Sequence, residues 1–195
     1  MSEPARKRAT YEDVLRAPEH LIAEVVDGEL VTTPRPSPAH GSTSSVLGTL
    51  LNGPFQLGQG PGGRGSGPGG WWVIAEPELH LGGDVLVPDQ AGWRRERMPA
   101  LPRAAAFTMA PDWICEVLSP STARLDRVRK LAAYASHGVR HAWLVDPLAR
   151  TLEVLRLEGG RWSLIAAHMD DEVARIEPFD AIELDLSLWW PVLED

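Results

Sequence analysis

Glu116 is the one charged side chain in Trp113-Ile114-Cys115-Glu116-Val117-Leu118. A short apolar run of this type, rich in β-branched and aromatic residues, predicts a central strand covered on both faces. A carboxylate there is costly to bury unless a cation or a donor meets it. Strand alternation puts Glu116 on the face of Ile114 and Leu118, with Cys115 and Val117 on the other. The chemistry implied is ligation of a hard cation, with Glu116 as half of the site. Asp89 is the second half, after Pro88 at the end of the apolar run Val85-Leu86-Val87. Two carboxylates on neighbouring strand ends can hold Mg²⁺ or Mn²⁺ through oxygen.

Lys130 supplies the third group. Lys7 and Lys130 are the only lysines, and every other basic residue of the nineteen is arginine. An ammonium is a compact charge with a movable pKa, which a guanidinium is not. Asp126, Lys130 and Tyr134 follow at i, i+4 and i+8, one face of a helix. The Asp126–Lys130 spacing also suits an ordinary surface ion pair. Combined, Asp89, Glu116 and Lys130 suit phosphodiester hydrolysis. The cation offsets charge building on the phosphate, and the ammonium orients water or stabilises an oxyanion.

These groups need a frame. A helix is expected from Ala123 to His137, capped by Ser121 or Thr122 and closed at Gly138. Leu125, Val128, Leu131, Ala132 and Ala135 mark its expected buried stripe. Val139 to Pro147 reads as a second buried strand, completing a βαβ unit with strand 113–118. Upstream, Thr10 to Arg16 is a short capped helix. Ala23–Val26 and Glu29–Thr33 flank Asp27-Gly28, a strong hairpin signal. After Pro34-Arg35-Pro36-Ser37-Pro38 a helix runs to Leu51, with His40 in its first turn as a supporting group. Trp71–Leu81 and Asp84–Trp93 are expected as two strands of a hairpin that brings Glu76–Glu78 alongside Asp89. Arg94–Ala106 is polar and irregular, a candidate flap over the site. Thr151–Leu157 and Arg161–His168 form a hairpin, and Ala181–Trp190 a closing strand.

Composition bounds the class. The chain has 195 residues, is 44% hydrophobic and carries a formal net charge of −8. That size suits a single domain over residues 10–195, behind a disordered leader at 1–9 and interrupted by a flexible Gly-rich loop at 58–70. The acidic balance argues against coating nucleic acid through bulk charge, yet Arg94, Arg95, Arg97 and Arg103, and Arg124, Arg127 and Arg129 beside Lys130, form basic clusters able to meet phosphates. No apolar run reaches the roughly 20 residues of a membrane span, and the polar start is no secretory signal. The lone Cys115 excludes an internal disulfide and a cysteine-based zinc site; it reads as an inert buried thiol. The expectation is a cytoplasmic bacterial protein. Trp189-Trp190-Pro191 is an apolar patch, either a homodimer surface or docked on its own core.

Several of these pieces occur together in a known pattern. Pro88-Asp89, a separate strand with Glu116, and a lysine resemble the PD-(D/E)XK nuclease superfamily. More closely, the chain resembles the Uma-type endonuclease family. The matching pieces are Glu24 with Asp27-Gly28-Glu29-Leu30, Pro36-Ser37-Pro38-Ala39-His40, Val87-Pro88-Asp89, Glu116 to Thr122, the spaced Asp126, Lys130 and Tyr134, then Gly138-Val139 and Trp143 to Pro147. The resemblance implies a restriction-endonuclease-like α/β (α+β) fold, a central mixed β-sheet flanked by helices, with additional N-terminal and C-terminal β-hairpins. It implies a Mg²⁺- or Mn²⁺-dependent endonuclease acting on DNA, with Asp89 and Glu116 as metal ligands. Glu24 joins Asp89, Glu116 and Lys130 as the catalytic set by pattern, ahead of Glu76, Glu78 and Glu29; His40, Asp126 and Tyr134 support it. One departure stands out. Two residues after Glu116, where the superfamily places its lysine, stands Leu118, so the resemblance implies that Lys130 supplies the ammonium from a migrated position. The alternative is a non-catalytic binding protein of the same fold with a retained or decayed site.

Overall fold

Two β-sheets meet where the chain passes through Val87-Pro88-Asp89. The computed structural model describes residues 8–59 and 65–192. Of the expected leader (1–9) and Gly-rich loop (58–70), residues 1–7 and 60–64 lie outside the described residues. After a capping-box helix α1 (Tyr11–Leu15), β1 (Leu21–Val26) and β2 (Glu29–Pro34) form the expected hairpin, turned by Asp27 at φ 51° and Gly28 at φ 73°. Positive φ at both central residues is what a type I′ turn requires. Ser37 caps α2 (Pro38–Leu51), which continues through one π turn at Asn52–Gln56.

The smaller sheet has the order β2-β1-β5-β4, with β4 at Leu79–Leu81 and β5 at Asp84–Leu86. The larger has the order β10-β9-β8-β7-β6-β3. Its strands are β3 (Trp71–Ala75), β6 (Gln90–Arg94), β7 (Trp113–Val117), β8 (His141–Asp146), β9 (Thr151–Glu158) and β10 (Arg161–Met169). Only β7 and β8 run parallel, as the βαβ reading requires; the other ladders are antiparallel, so the sheet is mixed. Helix α3, residues 123–136, makes the crossover.

β7 lies between two apolar layers. Trp113, Cys115 and Val117 join Leu47, Leu51, Trp143 and Phe179 on the α2 side. Ile114 and Leu118 join Val26, Leu131 and Tyr134 on the α3 side. The period-2 alternation thus places Glu116 as expected, on the α3 face.

Two expectations are corrected, and two are made specific. Asp84–Trp93 is not one strand: β5 and β6 belong to different sheets, and Val87-Pro88-Asp89 carries the chain between them, since Pro88 cannot donate to a ladder. The C-terminal hairpin β9–β10 forms as expected, and because β9 pairs with β8 it extends the main sheet. Ala181–Trp190 is not a strand. Leu184–Asp185 (β12) pairs only with Val173–Ala174 (β11), and a 3₁₀ turn follows at Leu186–Leu188. Trp189 docks on its own core, 1% exposed and 5.9 Å from Trp143, with its carbonyl accepting from Thr43 Oγ1. Of the two readings of this patch, docking on its own core holds for Trp189, while Trp190 stays partly exposed and donates Nε1–H to the Asp170 carbonyl at 2.6 Å.

Gly92 marks a point of close packing in the main sheet. A Cβ there would stand 3.1 Å from the Trp113 ring and 3.2 Å from the Trp71 ring. Both indoles are buried, so a side chain must displace packed rings. Gly92→Val is expected to destabilise by about 1–3 kcal/mol, read as a fall in the thermal midpoint with the native circular dichroism retained below it.

Candidate active site

Asp89 stands just outside the β6–β7 ladder. Gln90 pairs with Cys115, so the antiparallel register places Asp89 opposite Glu116. Its Oδ2 accepts from the Val117 N–H at 2.6 Å, and its Oδ1 meets His40 Nε2 at 2.6 Å. His40 is held by the first turn of α2, where its own N–H donates to Ser37 Oγ at 3.3 Å. Burial lowers the imidazole pKa, but the Asp89 hydrogen bond and charge outweigh it, and the net direction is upward.

Glu116 is met from α3. Lys130 Nζ is 3.0 Å from its Oε1, and Tyr134 Oη donates to the same oxygen at 2.6 Å. Lys130 also lies 3.0 Å from Glu24 Oε1 and 3.9 Å from Asp126 Oδ1, and donates to the Val87 carbonyl at 3.2 Å. Glu24 Oε1 in turn accepts from the Val87 N–H at 2.7 Å. The Glu24, Glu116, Asp126 and Lys130 side chains are each no more than 5% exposed.

Local geometry explains how α3 presents three polar groups inward. Residues Asp126–Lys130 form a π turn, closed by Leu131 N–H to Asp126 C=O. Such single π turns in α-helices are frequent at functional sites. The buried face is Asp126, Lys130, Leu131, Ala133 and Tyr134. The expected apolar stripe is thereby corrected: Val128 is 64% exposed and Ala132 is exposed. The widened turn shifts the phase of the helix, and its inner face is polar because Lys130 meets the carboxylates of β1 and β7, Tyr134 donates to that of β7, and Asp126 lies beside the ammonium.

Glu24, His40, Asp89, Glu116, Asp126 and Lys130 all line one cavity of about 280 Å³. Tyr134 reaches it only through Glu116. Four carboxylates share the cavity with Lys130 and Arg35, and three of them, Glu24, Glu116 and Asp126, lie within 4 Å of the ammonium. Burial pushes Glu116 well up, against the pull of Lys130 and with Asp126, Asp89 and Glu24 adding to the rise. Asp126 is raised to about 6, by burial first. Burial would lower Lys130, but Glu116, Glu24 and Asp126 together hold it charged. Among the described residues no three His, Cys, Asp or Glu side chains form a ready-made metal cluster. The Cys115 thiol is fully buried and its pKa pushed up, by burial first and then by Asp89 and Glu116.

The flap expectation fails. Residues 94–106 contribute nothing to the cavity lining, which is rimmed instead by residues 33–37 and 119–122. Three arginines there are engaged elsewhere: Arg94 stacks on Trp71 and Arg95 on Trp72, both of β3, and Arg97 pairs with Asp112 at 2.7 Å. In the other cluster Arg129 pairs with Glu29 and Arg127 with Glu153. Glu76 reaches Asp89 through its backbone, N–H to C=O at 3.1 Å, as the hairpin reading foresaw. Two features escaped sequence reasoning. The hydroxyls of Ser119, Ser121 and Thr122 interlink at 3.0 Å on the cavity wall, although Ser-Pro-Ser-Thr is legible as a helix start. The Val87 peptide as a hub left no signal, because a backbone group has no residue type.

A family model described as "Uma2: Putative restriction endonuclease" matches residues 9–188. A solved structure, a putative nuclease belonging to DUF820 from Anabaena variabilis, superposes with a TM-score of 0.69 at 22% identity, covering 93% of this chain and 97% of that one. Comparison with curated proteins finds no match. The mixed sheet, its flanking helices and this superposition give the chain a restriction-endonuclease-like fold. With nearly its whole described length matched by one family model, the chain belongs to the Uma2 family of putative restriction endonucleases.

Proposed function

We propose that this protein is a divalent-metal-dependent endonuclease that hydrolyses DNA phosphodiester bonds, with Asp89 and Glu116 as ligands of Mg²⁺ or Mn²⁺. The observation that carries the reading is the charge imbalance of the cavity, in which the four carboxylates of Glu24, Asp89, Glu116 and Asp126 outnumber the cations Lys130 and Arg35. The donor set fits a hard cation. Mg²⁺ commonly takes only one or two carboxylates and keeps the rest of its shell as water and substrate phosphate, so the lack of a three-residue cluster suits it. A divalent ion held there supplies Lewis-acid chemistry, offsetting negative charge that builds on the phosphodiester.

The chain's own groups do the positioning. His40 and the Val117 N–H fix the two oxygens of Asp89. Tyr134 and Lys130 converge on Glu116 Oε1, which sets its rotamer. Lys130 keeps its proton and presents positive charge to the cavity, where it would favour an anionic transition state. Asp126, raised to about 6 and lining the cavity, can take up or release a proton near neutral pH.

One observation favours the non-catalytic reading. The three donors of Lys130 are directed at Glu24, Glu116 and the Val87 carbonyl, which leaves none for a substrate. The decisive experiment is nicking of supercoiled plasmid in Mg²⁺ by wild type, Asp89→Ala and Glu116→Ala. The expected result is conversion by wild type and none above background in either variant. Equal conversion by wild type and Glu116→Ala sinks the proposed site, and no conversion by any of them favours the non-catalytic reading.

Metal binding is read separately from cleavage. With Mn²⁺ at about a hundred times its dissociation constant, linkage stabilises the fold by roughly 2.7 kcal/mol. That is about 5–10 °C at 2–4 °C per kcal/mol for a domain of this size, and the shift should vanish in Asp89→Ala. The metal-free protein also has a signature of Asp126. Its raised pKa means that between about pH 4 and pH 6 the folded state binds the proton more tightly than the unfolded chain. Its contribution is therefore greatest in acid and is lost as pH rises through that window. Asp126→Asn should gain stability relative to wild type from pH 4 to 6 and hold a constant difference above it, as followed by urea midpoints. A difference that stays flat across the window counts against a raised Asp126.

A further inference from the structure

The passage between the two sheets is held by side chains. β5 ends at Leu86 and β6 begins at Gln90, so Val87 lies between the ladders. Its N–H donates to Glu24 Oε1 at 2.7 Å and its C=O accepts from Lys130 Nζ at 3.2 Å. Glu24 and Lys130 are themselves paired at 3.0 Å, each side chain 4% exposed. Both backbone polar groups of one residue, on the two peptide units that flank its Cα, are thus captured by a buried ion pair from two elements remote in sequence.

We propose that Glu24 is a positioning residue and not a metal ligand: through the Val87 peptide it fixes where the Asp89 carboxylate stands. The proposal rests on Asp89 being a ligand, as read above. The lever is short and stiff. Pro88 locks its own φ near −65°, and a residue preceding proline is confined to extended conformations. Few soft torsions therefore separate the clamped peptide from Asp89. Downstream, Asp89 is tied by its carbonyl to the Glu76 N–H at 3.1 Å and by Oδ2 to the Val117 N–H at 2.6 Å. The upstream clamp completes a two-sided hold on the carboxylate. Glu24 offers the clamp the same oxygen that pairs with Lys130, so the ammonium and the Val87 N–H share one acceptor.

A hydrogen-bonding role and a charge or ligand role separate in two conservative variants. Glu24→Gln keeps a side-chain carbonyl able to accept from Val87 and loses the charge. Glu24→Asp keeps the charge and, one methylene shorter, loses the reach. The probe is Mn²⁺ alone, by calorimetric titration, with Val87 amide exchange followed by NMR in the metal-free protein. Expected for Glu24→Asp are loss of Val87 amide protection and a fall in Mn²⁺ affinity of about tenfold or more, the usual effect of removing a ligand's support. Glu24→Gln should keep the protection and lose less affinity than Glu24→Asp. The reverse affinity order, or an unprotected Val87 amide in Glu24→Gln, overturns the positioning role. Should Glu24→Asp fail to fold, the Val87 amide of Glu24→Gln decides alone. Asp89→Ala is the control: wild-type affinity there removes the metal reading, whereas lost affinity there beside a reversed Gln/Asp order removes only the role of Glu24.

Discussion

A buried ammonium shared between carboxylates of two sheets is the constraint on which this structure turns. Lys130 reaches Glu24 of the smaller sheet and Glu116 of the larger one, each at 3.0 Å. Removing one member of a buried pair of this kind leaves an uncompensated charge and costs about 3–5 kcal/mol, while a well-packed apolar replacement of the whole group is often neutral or stabilising. Stability alone therefore does not account for a charged cluster at the junction. The same residues wall a cavity in which carboxylates outnumber cations, the feature on which the proposed cation binding rests.

The junction also decides the path of the chain. Leaving one sheet and entering another strips a few peptides of ladder partners, and buried peptides must be paired. Here the residue without ladder partners is Val87, and Glu24 and Lys130, which pair with its N–H and C=O, line the cavity. Architecture and chemistry thus use one set of atoms. The three aromatic residues Trp113, Trp143 and Phe179 pack edge-on behind β7 and keep that strand rigid from the other side.

Much of the site was legible because its logic is local. Glu116 stands out as the one charge in an apolar run, and alternation assigned its face without any knowledge of partners. Asp126, Lys130 and Tyr134 share a face by simple helical spacing, and they are all buried together. The same spacing misplaced the apolar stripe of α3, because hydrophobicity alone does not tell a helix whether its inner wall is oil or carboxylate. The role of residues 94–106 was likewise misjudged: a polar, proline-containing segment reads as a flap wherever it lies, and its stacking of Arg94 and Arg95 on the β3 indoles becomes visible only in space.

The sequence by itself determined what depends on neighbours within a few residues. It set the Asp27-Gly28 turn, the Ser37 cap, the buried strand 113–117, and the acidic and ammonium groups that suit phosphodiester chemistry. Tertiary structure alone decided which sheet each strand joined, where Val87-Pro88-Asp89 crosses between them, and that Trp189 turns inward. Those outcomes hang on contacts such as Glu24 with Val87, 63 positions apart, and Thr43 with Trp189, 146 apart. No turn or helix period reaches that far. The energy of such contacts exists only once the chain has closed, so no residue pattern announces them beforehand.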